Sequence, residues 1–385
     1  MDRLFIDVSQ AASTSHYTGI QRCVRHTLRH ARALLPPGSV HAVQSQADGQ
    51  WLGLPRMAAH PLEGLPALEL PPLRGPVTWR PGDHVLLSDR FWHTAAWPAL
   101  ECLAASRARI TLVVYDLLSL QRPAWFPPQV GERFLRYLRT VVPRAQSIVC
   151  LSQAVRLDVL AWCRQQGLAA PEVHVVAPGL DVWPTEQGRP PAALPAAWRD
   201  SRRRFVLQVG TIEPRKNHAL TLQAMETLWR GGCDADLLLV GQPGWLTGEL
   251  CGVLQSHPRV VWLPSCPDAE LQWCYRHAAV VAYPSQAEGY GLPLAEAAAL
   301  GRRVVASDTP VHREVAAARQ AGPGHVHFCA LHAEALAAAL GLALNQPGST
   351  GVAGQGGAQG GVRTWSQATR ELLGAMAYAP ALAAA

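Results

Sequence analysis

The chain has 385 residues, 49% hydrophobic and 16% charged, which excludes a disordered chain or a solvated tail and favours two domains of comparable size over a single core. A formal net charge of +6 rests on 34 Lys+Arg, most of them Arg; that rigid fork suits phosphates and carboxylates, so an anionic ligand or surface is expected. No nucleic acid partner is expected, because no helix-turn-helix, zinc-finger or RNA-binding signature accompanies the charge.

The 9 cysteines are scattered without a C-x-x-C pair, which argues against a disulfide framework or a structural zinc and fits a cytoplasmic protein. Residues 4–8 read as a strand with no long apolar segment ahead of them, and no apolar run is long enough to span a bilayer, so membrane association has to be peripheral. Residues 20–35 carry Arg22, Arg25, Arg29 and Arg32 on one helical stripe with Ile20, Val24, Leu28, Leu34 and Leu35 largely off it. Residues 133–144 repeat the theme with Arg133, Arg136 and Arg139 beside Phe134, Leu135 and Leu138. Either helix fits contact with an anionic membrane, and either fits an ordinary solvated face.

Short apolar runs alternate with helical patterns along most of the chain, the rhythm of parallel sheets with crossover helices. Strands are expected at 4–8, 84–88, 110–116, 147–152 and 173–177 in the first half. In the second half they recur at 205–210, 236–241, 260–264, 280–284 and 303–307. The expected organisation is a domain over 1–182, a proline-rich linker over 183–204, a second domain over 205–345, a flexible glycine-rich segment over 346–362 and a C-terminal helix within 363–385. Two features call for ordinary readings. Asp234-Ala235-Asp236 resembles a metal-binding D-x-D, but it precedes a strand rather than following one, and is taken as a solvated loop. His325 and His327 share a face of a short strand without a third ligand nearby in sequence, so no metal site is expected.

The densest chemical signal is the stretch from Pro284 to Glu296. A buried strand ends, a loop with Gly289 and Gly291 follows, and a helix opens with Pro293 at its start and ends near Gly301. Amides at the start of that helix, near Leu292, form an anion site. Glu288 and Glu296 flank it, where they can accept hydrogen bonds from sugar hydroxyls on either side of a diphosphate. A second element, Gly210-Thr211-Ile212-Glu213-Pro214-Arg215-Lys216-Asn217-His218, follows the first strand of the second half and opens a helix. Its basic pair is thereby aimed from the carboxyl edge of the sheet, where it can neutralise a departing diphosphate without a metal ion.

Together, Glu288…Glu296 with Gly289-Tyr290-Gly291-Leu292-Pro293, the Glu213-Pro214-Arg215-Lys216-Asn217 segment, and Ser307-Asp308 followed by Arg313-Glu314-Val315 resemble the family 4 retaining glycosyltransferases, glycosyl transferases group 1. Thr18-Gly19-Ile20-Gln21-Arg22 resembles a subgroup frequent in bacterial O-antigen, capsule and exopolysaccharide assembly. The resemblance implies an α/β chain of the GT-B fold, two Rossmann-like doubly wound domains facing a central cleft. It also implies transfer of a hexose from a nucleotide-diphosphate sugar to a glycan or polyprenyl-diphosphate-linked acceptor, with no cofactor and no metal. On that resemblance Arg215 and Lys216 hold the diphosphate, the amides of Gly291 and Leu292 its phosphates, Glu296 the ribose hydroxyls and Glu288 the transferred sugar. Thr211 and Tyr290 border the same site, and Leu263, Pro264 and Ser265 line the base. Gly19, in the loop after the first strand, lets the N-terminal half close on the donor.

Two departures narrow the transfer. Thr211 stands where many relatives have an Arg, leaving the clamp to Arg215 and Lys216, and Tyr115-Asp116 stands where many have His-Asp, which reads either as a role for Tyr115 or Asp116 beside the sugar or as ordinary strand-end packing. The Glu-Pro-Arg-Lys-Asn variant resembles mannosyltransferases, which makes GDP-mannose the first donor and a UDP-hexose the second. Trp92, His93, Trp125 and Phe126 read as sugar platforms or as core. Other readings are a non-catalytic nucleotide-sugar-binding subunit and an NAD-type oxidoreductase; the second lacks the third glycine of G-x-G-x-x-G.

Overall fold

A computed structural model describes residues 2–14, 17–89, 97–180, 188–199, 203–318, 325–346 and 362–378. The chain divides into two compact units, one of Met1–Pro123, Pro128–Asp181 and Arg363–Ala385, the other of Ala124–Pro127 and Val182–Val362.

The first unit runs β1 (Leu4–Asp7), α1 (Gly19–Leu34), β2 (Val40–Ser45), β3 (Trp51–Leu54), β4 (Arg56–Met57), β5 (Leu68–Glu69), β6 (His84–Leu87), α2 (Trp97–Ala104), β7 (Arg109–Val114), α3 (Leu118–Gln121), α4 (Val130–Val141), β8 (Ala145–Cys150), α5 (Gln153–Gln165) and β9 (Glu172–Val175). Its main sheet has the order β3-β2-β1-β6-β7-β8-β9, parallel throughout except for β3, which pairs antiparallel to β2. Every residue of β1 and β6 is buried, as expected of parallel strands covered on both faces by crossover helices.

The second unit runs β10 (Phe205–Val209), α6 (His218–Arg230), β11 (Asp236–Val240), α7 (Gly248–Ser256), β12 (Val260–Leu263), α8 (Asp268–His277), β13 (Val280–Tyr283), α9 (Leu292–Ala299), β14 (Val304–Ser307), α10 (Pro310–Ala318), β15 (Val326–Cys329) and α11 (Ala333–Asn345). Its sheet is all parallel in the order β12-β11-β10-β13-β14-β15. This is the doubly wound Rossmann order, with its switch point between β10 and β13. The last helix, α12 (Trp365–Ala375), belongs to the first unit. Trp365 stacks on His26 of α1 at 4.7 Å, and Arg363 donates through Nε to the Ala177 carbonyl at 2.9 Å.

The strands expected from the apolar runs are present, with their ends displaced by a residue or two, but β2 to β5 were not expected. Asp236 is not a solvated loop residue: it opens β11, is 3% exposed, and its carboxylate takes Arg203 at 2.5 Å and Arg259 at 2.7 Å. Burial is tolerable there because both oxygens are paired. Gly19 does not lie in a loop; it is the first residue of α1, capped by Thr18, whose amide donates to the Gln21 side chain at 3.2 Å.

The arginine stripe of α1 is also not a free basic face. Arg22 and Arg25 are buried; Arg25 donates to Glu63 at 2.7 Å and to the Ala58 carbonyl at 2.6 Å, and Arg29 reaches the Pro66 carbonyl. Residues 58–66 fold over this part of the stripe, which leaves Arg29 and Arg32 half-buried and Arg22 and Arg25 covered. On α4, by contrast, Arg133, Arg136 and Arg139 are exposed, while Phe134 and Leu138 are buried in the core. Among the described residues no helix is long and apolar enough to cross a membrane. Trp92 and His93, residues 183–187 and 200–202 of the expected linker, and residues 347–361 of the glycine-rich segment lie outside the described residues.

Candidate functional site

In doubly wound sheets ligands bind beyond the carboxyl ends of the strands at the switch point. In the second unit that position is bordered by the loops after β10 and β13. The first begins at Gly210, makes a 3-10 turn over Pro214–Lys216 and passes through Asn217 in the left-handed region before α6 begins. The basic pair therefore lies on a tight turn ahead of the helix rather than in its first turn. Pro214 pre-sets that turn, and asparagine tolerates the left-handed conformation.

Four hydrogen bonds tie the two loops together. Asn217 donates to the Pro284 carbonyl at 2.9 Å, and the Gln286 amide to the Arg215 carbonyl at 2.7 Å. The Gln286 side chain donates to the Pro214 carbonyl at 3.1 Å and to the Asn217 side chain at 3.2 Å. Beneath them, Gln208 of β10 donates to the Lys216 carbonyl at 2.8 Å.

The structure brings Arg215, Lys216 and Glu288 into contact. Arg215 donates to one Glu288 oxygen at 2.6 Å and Lys216 to the other at 2.5 Å, so a single carboxylate spans both cations. Arg215 also pairs with Glu213 at 2.7 Å. The Lys216 ammonium lies 3.3 Å from the Tyr283 hydroxyl. Burial alone would push the Glu288 carboxyl up, but the Arg215 and Lys216 charges outweigh it and hold it well below the usual carboxylate range. Burial pulls the Lys216 ammonium below its ordinary value, against the opposing charge of Glu288.

Behind Glu288, Gly291 caps α9 at φ 94°, and a Cβ there would lie 3.3 Å from the Tyr283 ring. Glycine is required for the backbone to turn into the helix at that spot. The first turn of α9 leaves the Leu292 and Leu294 amides without a helical carbonyl to reach, and Pro293 between them carries no N–H to satisfy. Glu296, in the next turn, is 2% exposed and accepts from the Tyr275 hydroxyl at 2.8 Å. Tyr290 is buried in the loop, Thr211 is half-buried on the loop after β10, Leu263 is buried at the end of β12, and Pro264 and Ser265 are exposed just beyond it. Asp308 and Arg313 form a two-pronged pair at 2.5 and 2.7 Å at the exposed start of α10.

Gly19, Tyr115 and Asp116 belong to the first unit. Tyr115 turns inward from the end of β7, and its hydroxyl donates to the Ser88 carbonyl at 2.7 Å; Asp116 accepts from the Leu118 amide at 3.0 Å. Trp125 accepts through its carbonyl from the Trp245 indole at 2.6 Å, and Phe126 lies 5.7 Å from the Trp245 ring.

Sequence reasoning missed Tyr283 and His312. His312 is fully buried, with Nδ1 2.9 Å from the Ser307 carbonyl and its ring 5.0 Å from Tyr283; burial lowers its pKa. One further signal was available in composition, because Lys216 is the only lysine in a chain with 34 Lys+Arg. Where every other basic position uses arginine, a compact ammonium at this one points to a steric or chemical demand. That demand is visible: a Cβ on Gly210 would lie 3.5 Å from the Lys216 Cδ and Cε, and the ammonium is 5.3 Å from the Tyr283 ring centre.

The family model described as Glycosyl transferases group 1 matches residues 195–357. The serotype-specific mannosyltransferase WbdA of Escherichia coli is 30% identical over 331 residues, covering 82% of this chain and 40% of WbdA. The chain thus spans less than half the length of this curated relative. Among solved structures, sucrose-phosphate synthase from Thermosynechococcus elongatus aligns with a TM-score of 0.63 at 17% identity, over 98% of this chain and 95% of that one. HepE of Anabaena, solved with UDP and glucose, aligns with a TM-score of 0.60 at 15% identity, over 97% and 94%. At such identities the likeness concerns the fold alone, which is GT-B.

Proposed function

We propose that the chain, whose residues 195–357 match the glycosyl transferases group 1 model, is a glycosyltransferase of that group, a retaining, metal-independent hexosyltransferase that uses a nucleotide-diphosphate sugar. The observation that carries this reading is the cluster of Arg215, Lys216 and Glu288 beside the amino end of α9. A diphosphate held there meets two fixed cations and a helix N-terminus, the charge stabilisation that a departing nucleoside diphosphate needs as its bond to the sugar lengthens. Arg215 and Lys216 supply that neutralisation from the protein itself, which is why no metal is invoked.

Glu296, oriented by Tyr275, takes the ribose hydroxyls in this reading, Glu288 takes the transferred sugar, and the segment from Leu263 to Ser265 borders the base. Retention follows from attack on the face the diphosphate leaves, with positioning rather than a protein nucleophile as the source of rate. The relatives named as mannosyltransferases favour mannose, with GDP-mannose the first donor and a UDP-hexose the second. A glycan or polyprenyl-diphosphate-linked acceptor in bacterial surface polysaccharide assembly fits the same relatives, at work in the cytoplasm. For a lipid-linked acceptor, the exposed Arg133, Arg136 and Arg139 of α4 are the cations available to anionic lipid, and not those of α1.

Thermal-shift measurements against a panel of nucleotide sugars test the donor directly. GDP and GDP-mannose are expected to raise the midpoint, UDP-hexoses less so. No shift with any nucleotide would sink the reading.

A further inference from the structure

We infer that Glu288 is the resident counter-ion of Arg215 and Lys216 when no donor is bound, and that the donor diphosphate displaces it, which holds only if the site takes a nucleotide sugar as proposed above. The geometry is that of a stand-in. Its two carboxylate oxygens take one cation each, at 2.6 and 2.5 Å, as two oxygens of a phosphoryl group would. Charge balance makes the same point: Arg215 and Lys216 face Glu213 and Glu288, two cations against two carboxylates, so the cluster has no surplus positive charge to offer. A diphosphate added to that neutral, buried cluster would be repelled by both acids unless one of them left.

Glu288 is the one placed to leave. Glu213 begins the same 3-10 turn that carries Arg215, and its ion pair is with that arginine. Glu288 instead touches both cations and lies on the loop that ends at Gly291, four residues before the first residue of α9. A turn of its side chain away from the cations frees them together and brings a carboxylate toward the sugar end of the donor. Lys216 keeps the Tyr283 hydroxyl, 3.3 Å away, and so stays in place through the exchange. The same acid then opposes binding of the bare nucleoside diphosphate and favours binding of the sugar-bearing one, a device that promotes product release.

Isothermal titration of wild type, Glu288→Gln and Glu213→Gln with GDP and GDP-mannose, and with UDP and UDP-glucose, separates this from a general field effect. Glu288→Gln is expected to bind the nucleoside diphosphate about tenfold more tightly than wild type and to lose the added affinity that the sugar confers. Glu213→Gln is expected to shift both ligands by the same factor. Glu288→Asp, whose shorter side chain spans one cation rather than both, should fall between and serves if the glutamine variant does not fold. Because Lys216 is the only lysine, trinitrobenzenesulfonate labelling read by mass spectrometry on the peptide that carries it should be faster in Glu288→Gln. Nucleoside diphosphate binding no tighter in Glu288→Gln than in wild type overturns the exchange alone. A wild-type chain that binds neither GDP nor UDP overturns both the exchange and the donor reading.

Discussion

Replacement of Lys216 by alanine is expected to slow donor turnover by roughly 10² to 10³, and the size follows from where the ammonium is held. Gln208 fixes its backbone carbonyl, the Gly210 backbone lines its stem, and its charge lies within 2.5 Å of the carboxylate oxygen that marks the anion position. Two unit charges about 4 Å apart attract by about 4 kcal/mol at an effective dielectric near 20. Arg215 and the α9 amides remain in the variant, and water fills part of the vacated space. The net loss in the transition state is therefore about 3 kcal/mol, the scale seen when one preorganised donor is removed. Steady-state release of nucleoside diphosphate at saturating donor measures it, with the melting midpoint recorded alongside, since Glu288 is left buried with a single cation. A folded variant whose turnover stays within about fivefold of wild type would refute the assignment of Lys216 to the leaving group.

Two further outcomes are expected. Gly291→Ala forces a side chain into the left-handed region at φ 94° and presses it to 3.3 Å from the Tyr283 ring; a strain of about 1–3 kcal/mol and a displaced α9 amino end should weaken nucleotide affinity, and unchanged affinity by titration would contradict the role given to that turn. Asp7 is buried beside Asp89, and burial first, then the Asp89 charge, pushes its carboxyl up to about 8 against the hydrogen bonds of Ser9. The folded chain then keeps a proton that the unfolded chain loses above about pH 4, so stability should fall as pH rises toward 8, by up to about 1.4 kcal/mol per unit. Buried His26, lowered to about 2, works in the opposite sense below its ordinary value of 6.5. The Asp7 slope should therefore emerge between pH 6.5 and 8 in denaturant titrations, and an Asp7→Asn variant with the same slope would contradict this.

Much of the fold was legible because buried parallel strands are short unbroken apolar runs, and all but one strand of the second sheet were read that way. The β2–β3 hairpin was not, because His41, Gln44 and Gly53 break the apolar pattern and its stability comes from pairing across the turn. Membership of α12 in the first unit depends on Trp365 meeting His26, which no local pattern encodes. At the site, the spacing of Glu288 and Glu296 around Gly291 was visible. The partners of Glu288, 72 and 73 residues away, depend on the β10–β13 switch point. The arginine stripe of α1 shows the limit most clearly. Periodicity identified one face, but a segment without periodicity, residues 58–66, decides that Arg25 is buried against Glu63.

The most direct measurement of the central claim is a proton NMR time course of GDP-mannose, and in parallel UDP-glucose, incubated with the purified chain and excess EDTA. Release of nucleoside diphosphate with the α-anomer of the sugar appearing first, undiminished by the chelator and lost in the Arg215→Ala, Lys216→Ala double variant, is the expected result. Turnover that stops in EDTA, or a β-anomer as first product, would contradict a retaining transfer driven by these two side chains.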